Sequence, residues 1–326
     1  MKAGHAPGTV ALAVIVLAAC TPNAGPATNS GLPSTGAALA ANVLAFDSDR
    51  TGNYELFTMQ VDGSQVRQIT NDSKFDSWWP RISPDRKRIL FYRTPKGTHD
   101  RDFTQTSLWV ANSDGSQARE LRARGADGWD QQGHVDWAPD GAHLVMFGGP
   151  RTNPQIYVTA ADGTAARKVM QREGTNIDPS WSPDGKTIVF IGCPAAVCFE
   201  KDYEVYTIPA AGGEARRLTN DGIRDQDPYY SPDGTRIAWL AQTDPTGLVG
   251  VWNIKIMNAD GSEQRALTND RNVNSKPEWA RDGSRIYFHR LQAGRDRWSL
   301  FSIRPDGSGL TELAPGSPGN NEFPSN

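Results

Sequence analysis

Pro179-Ser180-Trp181-Ser182-Pro183-Asp184-Gly185 reads as a strand running into a tight turn, and the chain repeats it. Pro presets φ for the second turn residue, Asp suits the third and Gly tolerates the exit. Trp181 stands at the apolar phase before the turn, and the β-branched and aromatic run Thr187-Ile188-Val189-Phe190 follows it. The result is strand, turn, strand. Further copies are Pro228-Tyr229-Tyr230-Ser231-Pro232-Asp233-Gly234 and Pro277-Glu278-Trp279-Ala280-Arg281-Asp282-Gly283. Two diverged copies precede them, Pro80-Arg81-Ile82-Ser83-Pro84-Asp85 and Val135-Asp136-Trp137-Ala138-Pro139-Asp140-Gly141. Short strands and tight turns recurring every ~45–55 residues are the signature of a β-propeller.

Each repeat carries a second hairpin. Its first strand reads Tyr54-Glu55-Leu56-Phe57-Thr58-Met59 early in the chain and Glu204-Val205-Tyr206-Thr207-Ile208 later. Hairpin dipeptides follow at Asp62-Gly63, Asp114-Gly115, Asp162-Gly163, Gly212-Gly213, Asp260-Gly261 and Asp306-Gly307. The last strand ends in Ile69-Thr70, Leu218-Thr219 or Leu267-Thr268. The pattern predicts an all-β, six-bladed β-propeller of four-stranded antiparallel blades. The first unit lacks the inner strand before Val43, and the tail Asn320–Asn326 resembles the start of one. The tail is therefore expected to pair as that missing strand and close the ring, which removes exposed edges.

The 34 Lys and Arg against 37 Asp and Glu give a net charge of −3, with no global attraction to nucleic acid or to anionic membrane. Hydrophobic residues make up 37% of the 326-residue chain, enough for a sizeable core. The N-terminus reads as a targeting segment. Lys2 precedes an apolar run, Thr9 to Ala19, too short to span a bilayer as a mature helix. Leu17-Ala18-Ala19-Cys20 resembles a bacterial lipobox, which implies that Cys20 is lipidated and becomes the mature N-terminus. The expected organisation is a signal peptide over 1–20, a flexible tether over 21–41 rich in Pro, Gly, Ser, Thr, Ala and Asn, and the propeller over 42–326. An extracytoplasmic location makes a disulfide the leading reading of Cys193 and Cys198, with free thiols as the alternative. Two cysteines without a nearby His do not make a metal site.

In an up-and-down blade, alternate connections lie on opposite faces. The Ser-Pro-Asp-Gly and Asp-Gly turns then share one face, short and uniform. The longer, variable connections Thr94 to Thr106, Gly192 to Asp202, Gln242 to Gly250 and Leu291 to Arg297 share the other, where function usually sits. That face also carries the entries to the inner strands, which line the mouth of the central channel. A recurrent Asp or Asn in these entries is read as a cap of its own turn. Residues that depart from the repeat are the binding candidates: Trp78, Asp130, His134, Asp178, Asp227, Lys276 and Glu322. No cofactor is required by any motif, although acidic side chains converging on a channel suit Ca²⁺.

The Pro179 to Phe190 and Asp260 to Thr268 segments resemble the repeats of TolB-type propellers, the periplasmic component of an envelope system, over about residues 42–326. The resemblance implies protein binding at the channel mouth. It does not extend to the α/β domain that precedes the propeller in TolB proper, nor to its usual lack of a lipid anchor. Related repeats occur in the propellers of prolyl-oligopeptidase-like peptidases, but this chain has no Gly-x-Ser-x-Gly elbow, no His-Glu-x-x-His and no phosphate-binding Gly-rich loop. The expected function is a lipid-anchored, monomeric binding scaffold, not an enzyme, with an envelope protein or small ligand as partner. The alternatives are a glycan lyase or hydrolase using His134 with Asp130 or Asp178 as acid and base, and a purely structural envelope protein.

Overall fold

The turn chemistry that repeats in the sequence is built by side chains. In the computed structural model the Ser182 hydroxyl donates to Asp184 at 2.6 Å, and Asp184 in turn accepts the Lys186 N–H at 3.0 Å. Ser83 with Asp85, and Ser231 with Asp233, repeat the arrangement. Each such turn joins two antiparallel strands. The structure describes residues 36–326 apart from 171–172, 196–197 and 247–249. The leader with Cys20 and most of the 21–41 segment lie outside the described residues. Among the described residues no helix is long and apolar enough to cross a membrane.

The strands β1 (Val43–Ser48), β2 (Glu55–Gln60) and β3 (Arg67–Gln68) begin the first sheet. The second holds β4 (Phe75–Ile82), β5 (Arg88–Pro95), β6 (Ser107–Asn112) and β7 (Arg119–Arg122). The third holds β8 (Gln131–Trp137), β9 (His143–Gly149), β10 (Gln155–Ala160) and β11 (Arg167–Lys168). The fourth holds β12 (Thr175–Trp181), β13 (Thr187–Cys193), β14 (Glu204–Pro209) and β15 (Arg216–Arg217). Then follow β16 (Asp225–Tyr230), β17 (Arg236–Asp244), β18 (Val251–Asn258) and β19 (Arg265–Ala266). The chain ends with β20 (Val273–Trp279), β21 (Ile286–Leu291), β22 (Trp298–Ile303), β23 (Thr311–Glu312) and β24 (Asn321–Ser325).

The all-β propeller is as expected; the expected six separate blades are not. Four sheets stand as four-stranded blades, whereas β16 to β23 form one eight-stranded sheet. The cause is a parallel bridge between Trp252 of β18 and Val273 of β20. β19 covers only Lys255 and Ile256, as the equally short β3, β11, β15 and β23 do beside their own neighbours, so the start of β18 keeps the same open edge as its counterparts. The Asn274 side chain then donates to the Trp252 carbonyl at 2.6 Å and draws β20 against it. At the matching step elsewhere a single backbone hydrogen bond joins neighbours, as from Ser77 to Tyr54 at 2.7 Å and from Asp225 to Tyr203 at 2.9 Å.

The tail does pair with the first sheet. β24 runs antiparallel to β1, with Asp47 opposite Glu322 and Ser48 opposite Asn321. The Ser325 hydroxyl accepts the Ile82 N–H at 3.1 Å. All of β24 is buried.

The core lies between sheets. Ala45 and Leu56 of the first pack with Ile89, Phe91 and Ala111 of the second. Leu44 and Phe57 meet Tyr287 and Leu300 across the closing seam. A strand covered on both faces has no polar side, so β1 is buried throughout. Cys193 and Cys198 form a disulfide.

Asp76 and Asp225 of the strand entries, expected to cap their own turns, bond to neighbouring elements instead. Asp76 accepts the Tyr54 N–H at 3.1 Å and the Gly97 N–H at 2.7 Å, so it ties its strand to the preceding blade and to the following loop. Asp225 accepts from the Thr219 hydroxyl at 2.6 Å and the Trp239 indole at 2.9 Å. Thr219 in turn accepts the Val205 N–H at 2.8 Å, and Thr70 and Thr268 serve Leu56 and Ile254 likewise.

Candidate functional site at the channel mouth

The inner strands β4, β8, β12, β16, β20 and β24 touch one another in turn around the axis. Each carries one residue with left-handed backbone: Trp79, His134, Asp178, Asp227, Lys276 and Phe323, all with φ between 46° and 56°. In all but one copy the next residue is proline, which has no N–H for the ladder, and the register skips there. Val135 replaces that proline in β8, and its extra N–H is taken by the Tyr92 hydroxyl at 3.1 Å. The bulge turns this one side chain per strand toward the channel mouth.

There Trp79, His134, Asp178, Asp227 and Phe323 line a cavity of about 390 Å³. Asp100, Phe103, Arg151, Tyr203 and Arg224, from the variable connections and strand entries, complete it. The mouth thus lies on the face expected from topology. It is not mainly acidic, because Arg151 and Arg224 stand beside Asp100, Asp178 and Asp227.

His134 Nδ1 is in close contact with Asp178 Oδ1 and lies 3.7 Å from Asp227 Oδ1. The side chains of Asp178 and Asp227 are at most 9% exposed. The Asp227 N–H donates to Asp178 Oδ2 at 3.3 Å. Burial works against protonation of His134, yet the charges of Asp178 and Asp227 outweigh it and raise its pKa. Burial and the Asp178 charge push Asp227 up to about 7. Trp79 stacks on His134 with ring centroids 4.2 Å apart. Lys276 is fully buried, and its Nζ sits 3.7 Å from the centre of the Trp79 ring. Burial and the Arg81 charge lower Lys276 to about 7.

Two residues further along the inner strands the channel is closed by charge. Arg81 reaches Asp136 and Glu278, each at 2.6 Å, and its guanidinium lies 5.1 Å from the Tyr229 ring centre. A second cavity of about 350 Å³ opens beyond this plug on the Ser-Pro-Asp-Gly side, walled by Trp137, Trp181, Tyr230 and Trp279.

Of the residues singled out in the sequence, His134, Asp178 and Asp227 come together at the mouth, with Lys276 beneath Trp79. The others do not join them. Trp78 is core, 1% exposed among Tyr92, His99, Phe103 and Phe323. Its neighbour Trp79 is equally buried, but its ring borders the cavity and stacks on His134. Glu322 is buried, accepts from the Tyr54 hydroxyl at 2.7 Å, and yields the equivalent place to Phe323. Asp130 is exposed and accepts the Arg151 N–H at 3.2 Å, away from the His134 ring. One signal would have found all of the set but His134: the residue immediately before each inner-strand proline, a place that His134 holds before Val135. The loop residues Asp100, Phe103, Arg151 and Tyr203 carry no repeat signal at all.

The profile of the TolB β-propeller domain matches residues 128–249. A TolB homologue from Chlorobium luteolum is 30% identical over 151 residues, which is 45% of this chain and 31% of that protein. The chain thus spans about a third of the length of the curated relatives it matches. Among solved structures, TolB from Acinetobacter baumannii superposes with a TM-score of 0.69 at 19% identity, covering 87% of this chain and 66% of that one. An oligogalacturonate lyase in complex with manganese superposes with a TM-score of 0.53 at 14% identity, covering 84% and 74%. At such identities these structures speak for the fold alone.

Proposed function

This chain belongs to the TolB-like β-propeller family, and we propose that it works as an extracytoplasmic binding scaffold, lipid-anchored through Cys20, whose mouth cavity takes a protein partner or a ligand. One observation carries the reading. The inner strands present dissimilar side chains, Trp79, His134, Asp178, Asp227, Lys276 and Phe323, from one repeated backbone geometry. Trp79, Lys276 and Phe323 also serve packing, but the bulge does not call for His134, Asp178 and Asp227, whose polar groups are costly to bury, so these three serve something other than folding. Aromatic faces beside charged groups of both signs suit a protein surface of mixed charge. An envelope setting is supported by the lipobox and by the family likeness.

Affinity capture with the full chain from envelope extracts, read by mass spectrometry, tests it. Arg151→Glu with Tyr203→Ala should fold normally and lose the captured partner. A partner kept by that variant but lost on changing Trp181 and Pro139 would place binding at the opposite cavity. Cys20→Ser should move the protein from the membrane fraction to the soluble extracytoplasmic fraction, or stall it as precursor. Membrane retention of a processed Cys20→Ser chain would remove the anchor.

The contact between His134 and Asp178 favours a second reading, a lyase or hydrolase acting on a glycan in the same cavity. Incubation with oligogalacturonate, monitored for unsaturated product, separates the two. Product formation that His134→Ala abolishes would replace the scaffold reading.

A further inference from the structure

Three side chains at the mouth converge on one point. His134 Nδ1, Asp178 Oδ1 and Asp227 Oδ1 all lie within 4.8 Å of each other; His134 and Asp178 are in contact, and Asp227 Oδ1 has no hydrogen-bond partner among the described residues. Both carboxylates are nine-tenths buried or more, and the unpaired Asp227 Oδ1 is costly there. From this geometry we infer that His134, Asp178 and Asp227 form a binding site for one divalent first-row transition ion, Mn²⁺ or Zn²⁺, open to the mouth cavity.

The donor spacing suits the ion. Ligand atoms at about 2.0–2.2 Å from such a metal stand roughly 3–3.5 Å from one another; His134 Nδ1 and Asp227 Oδ1 are 3.7 Å apart, and the closer pair His134 and Asp178 has to exchange its proton for the ion and part slightly to admit it. One imidazole with two carboxylates favours a borderline ion, because Ca²⁺ takes six to eight oxygens and no nitrogen. The ligands come from β8, β12 and β16, at the bulged position in each. Bulges held by three strands fix the site before the ion arrives, so little ordering is left for the binding step. Asp178 is held by the Asp227 N–H through its other oxygen, and the His134 ring is clamped by Trp79 at 4.2 Å and edge-on by Phe147 at 5.4 Å. Three protein ligands at the wall of a cavity leave positions for water or for a ligand group. A cation would also relieve the repulsion between Asp178, Asp227 and the nearby Asp100.

The site lies within the cavity of the scaffold reading but stands or falls separately, since the metal alone is the probe. Untagged full-length protein, stripped with chelator, is titrated calorimetrically with ZnCl₂, MnCl₂ and CaCl₂ at pH 7.5. One Zn²⁺ or Mn²⁺ per chain is expected, at least tenfold tighter than Ca²⁺. Asp227→Asn and His134→Ala should each weaken it at least tenfold while the circular dichroism stays unchanged. Asp227→Asn is close to isosteric and keeps the test decisive if His134→Ala does not fold. His134→Asp should turn the preference toward Ca²⁺, which a merely structural role for His134 does not explain. Failure of both transition ions to bind, equal affinity for Ca²⁺, or Zn²⁺ binding that survives Asp227→Asn overturns the assignment.

Discussion

The backbone N–H of Phe323 donates to Nδ1 of His289 at 3.1 Å, so the last strand of the chain is recognised by a side chain of the neighbouring sheet. Burial and the Lys276 charge hold the His289 pKa well below its ordinary value, which keeps the imidazole neutral and able to accept. Phe323 also packs against Trp79, 4.8 Å between ring centroids, and against Trp78. Truncating it to alanine should cost about 3–5 kcal/mol. Deleting 320–326 should cost more, since β24 also pairs with β1. Urea unfolding measures both. A deletion that leaves the midpoint unchanged would show that the ring does not depend on its tail.

Arg81 neutralises two carboxylates from strands on other parts of the ring, Asp136 and Glu278. Arg81→Met removes the cation and leaves both acids buried, which should destabilise the fold by roughly 3–5 kcal/mol. Because the pair is shielded, 0.5 M NaCl should change wild-type stability little. A loss under about 1 kcal/mol would mean that water replaces the guanidinium in the channel.

Stability should fall as pH rises from 5 to 8. Burial pushes Glu322 up to about 8, so the fold holds a proton there that the unfolded chain releases near 4.5. Burial opposes the charge on His99, but the hydrogen bond and charge of Asp47, 3.1 Å away, win and raise it to about 9 from 6.5. Both folded values are raised, so both contributions are complete below the unfolded pKa and lost as pH climbs through the folded one. Lys276, lowered to about 7, acts in the opposite sense above that pH. Glu322→Gln keeps an acceptor for Tyr54 and should raise the melting temperature at pH 8 with little effect at pH 5. An equal gain at both would show that Glu322 is not protonated in the fold.

Thr219 passes a hydrogen bond from the Val205 N–H to buried Asp225. Thr219→Val leaves that N–H without an acceptor and Asp225 with one donor fewer, at about 1–3 kcal/mol. Hydrogen exchange at Val205 should quicken. Unchanged protection there would mean that another acceptor takes over.

Much of the architecture was legible because its cause is local. Ser182-Pro183-Asp184-Gly185 makes its turn with its own side chains, and the short tail beginning at Asn320 matches an inner strand in pattern. The count of separate blades was not legible, because it turned on the bridge between Trp252 and Val273 and on an amide of Asn274, neither of which departs from the repeat. The site was half legible. His134, Asp178 and Asp227 break the repeat where it faces the axis. Trp78 and Glu322 lie one residue short of the mouth positions Trp79 and Phe323 because alternation in a bulged strand slips by one residue, and a bulge leaves no mark on hydrophobic pattern. Asp100 and Arg151 reach the cavity through loop conformation, which no periodicity encodes.

The left-handed position of each inner strand lets the chain separate, at His134, Asp178 and Asp227, two demands that often fall on the same residue. The proline, the turn and the outer strands secure the architecture, while the residue at Trp79, His134, Asp178, Asp227, Lys276 or Phe323 contributes its side chain to the axis. Asn and Asp tolerate that backbone better than bulky residues, so exchanges toward them there need not strain the ring. Descendants of such a chain can change what they recognise by single substitutions at His134, Asp178 and Asp227, whereas Trp79, Lys276 and Phe323 are buried and hold the ring together as well.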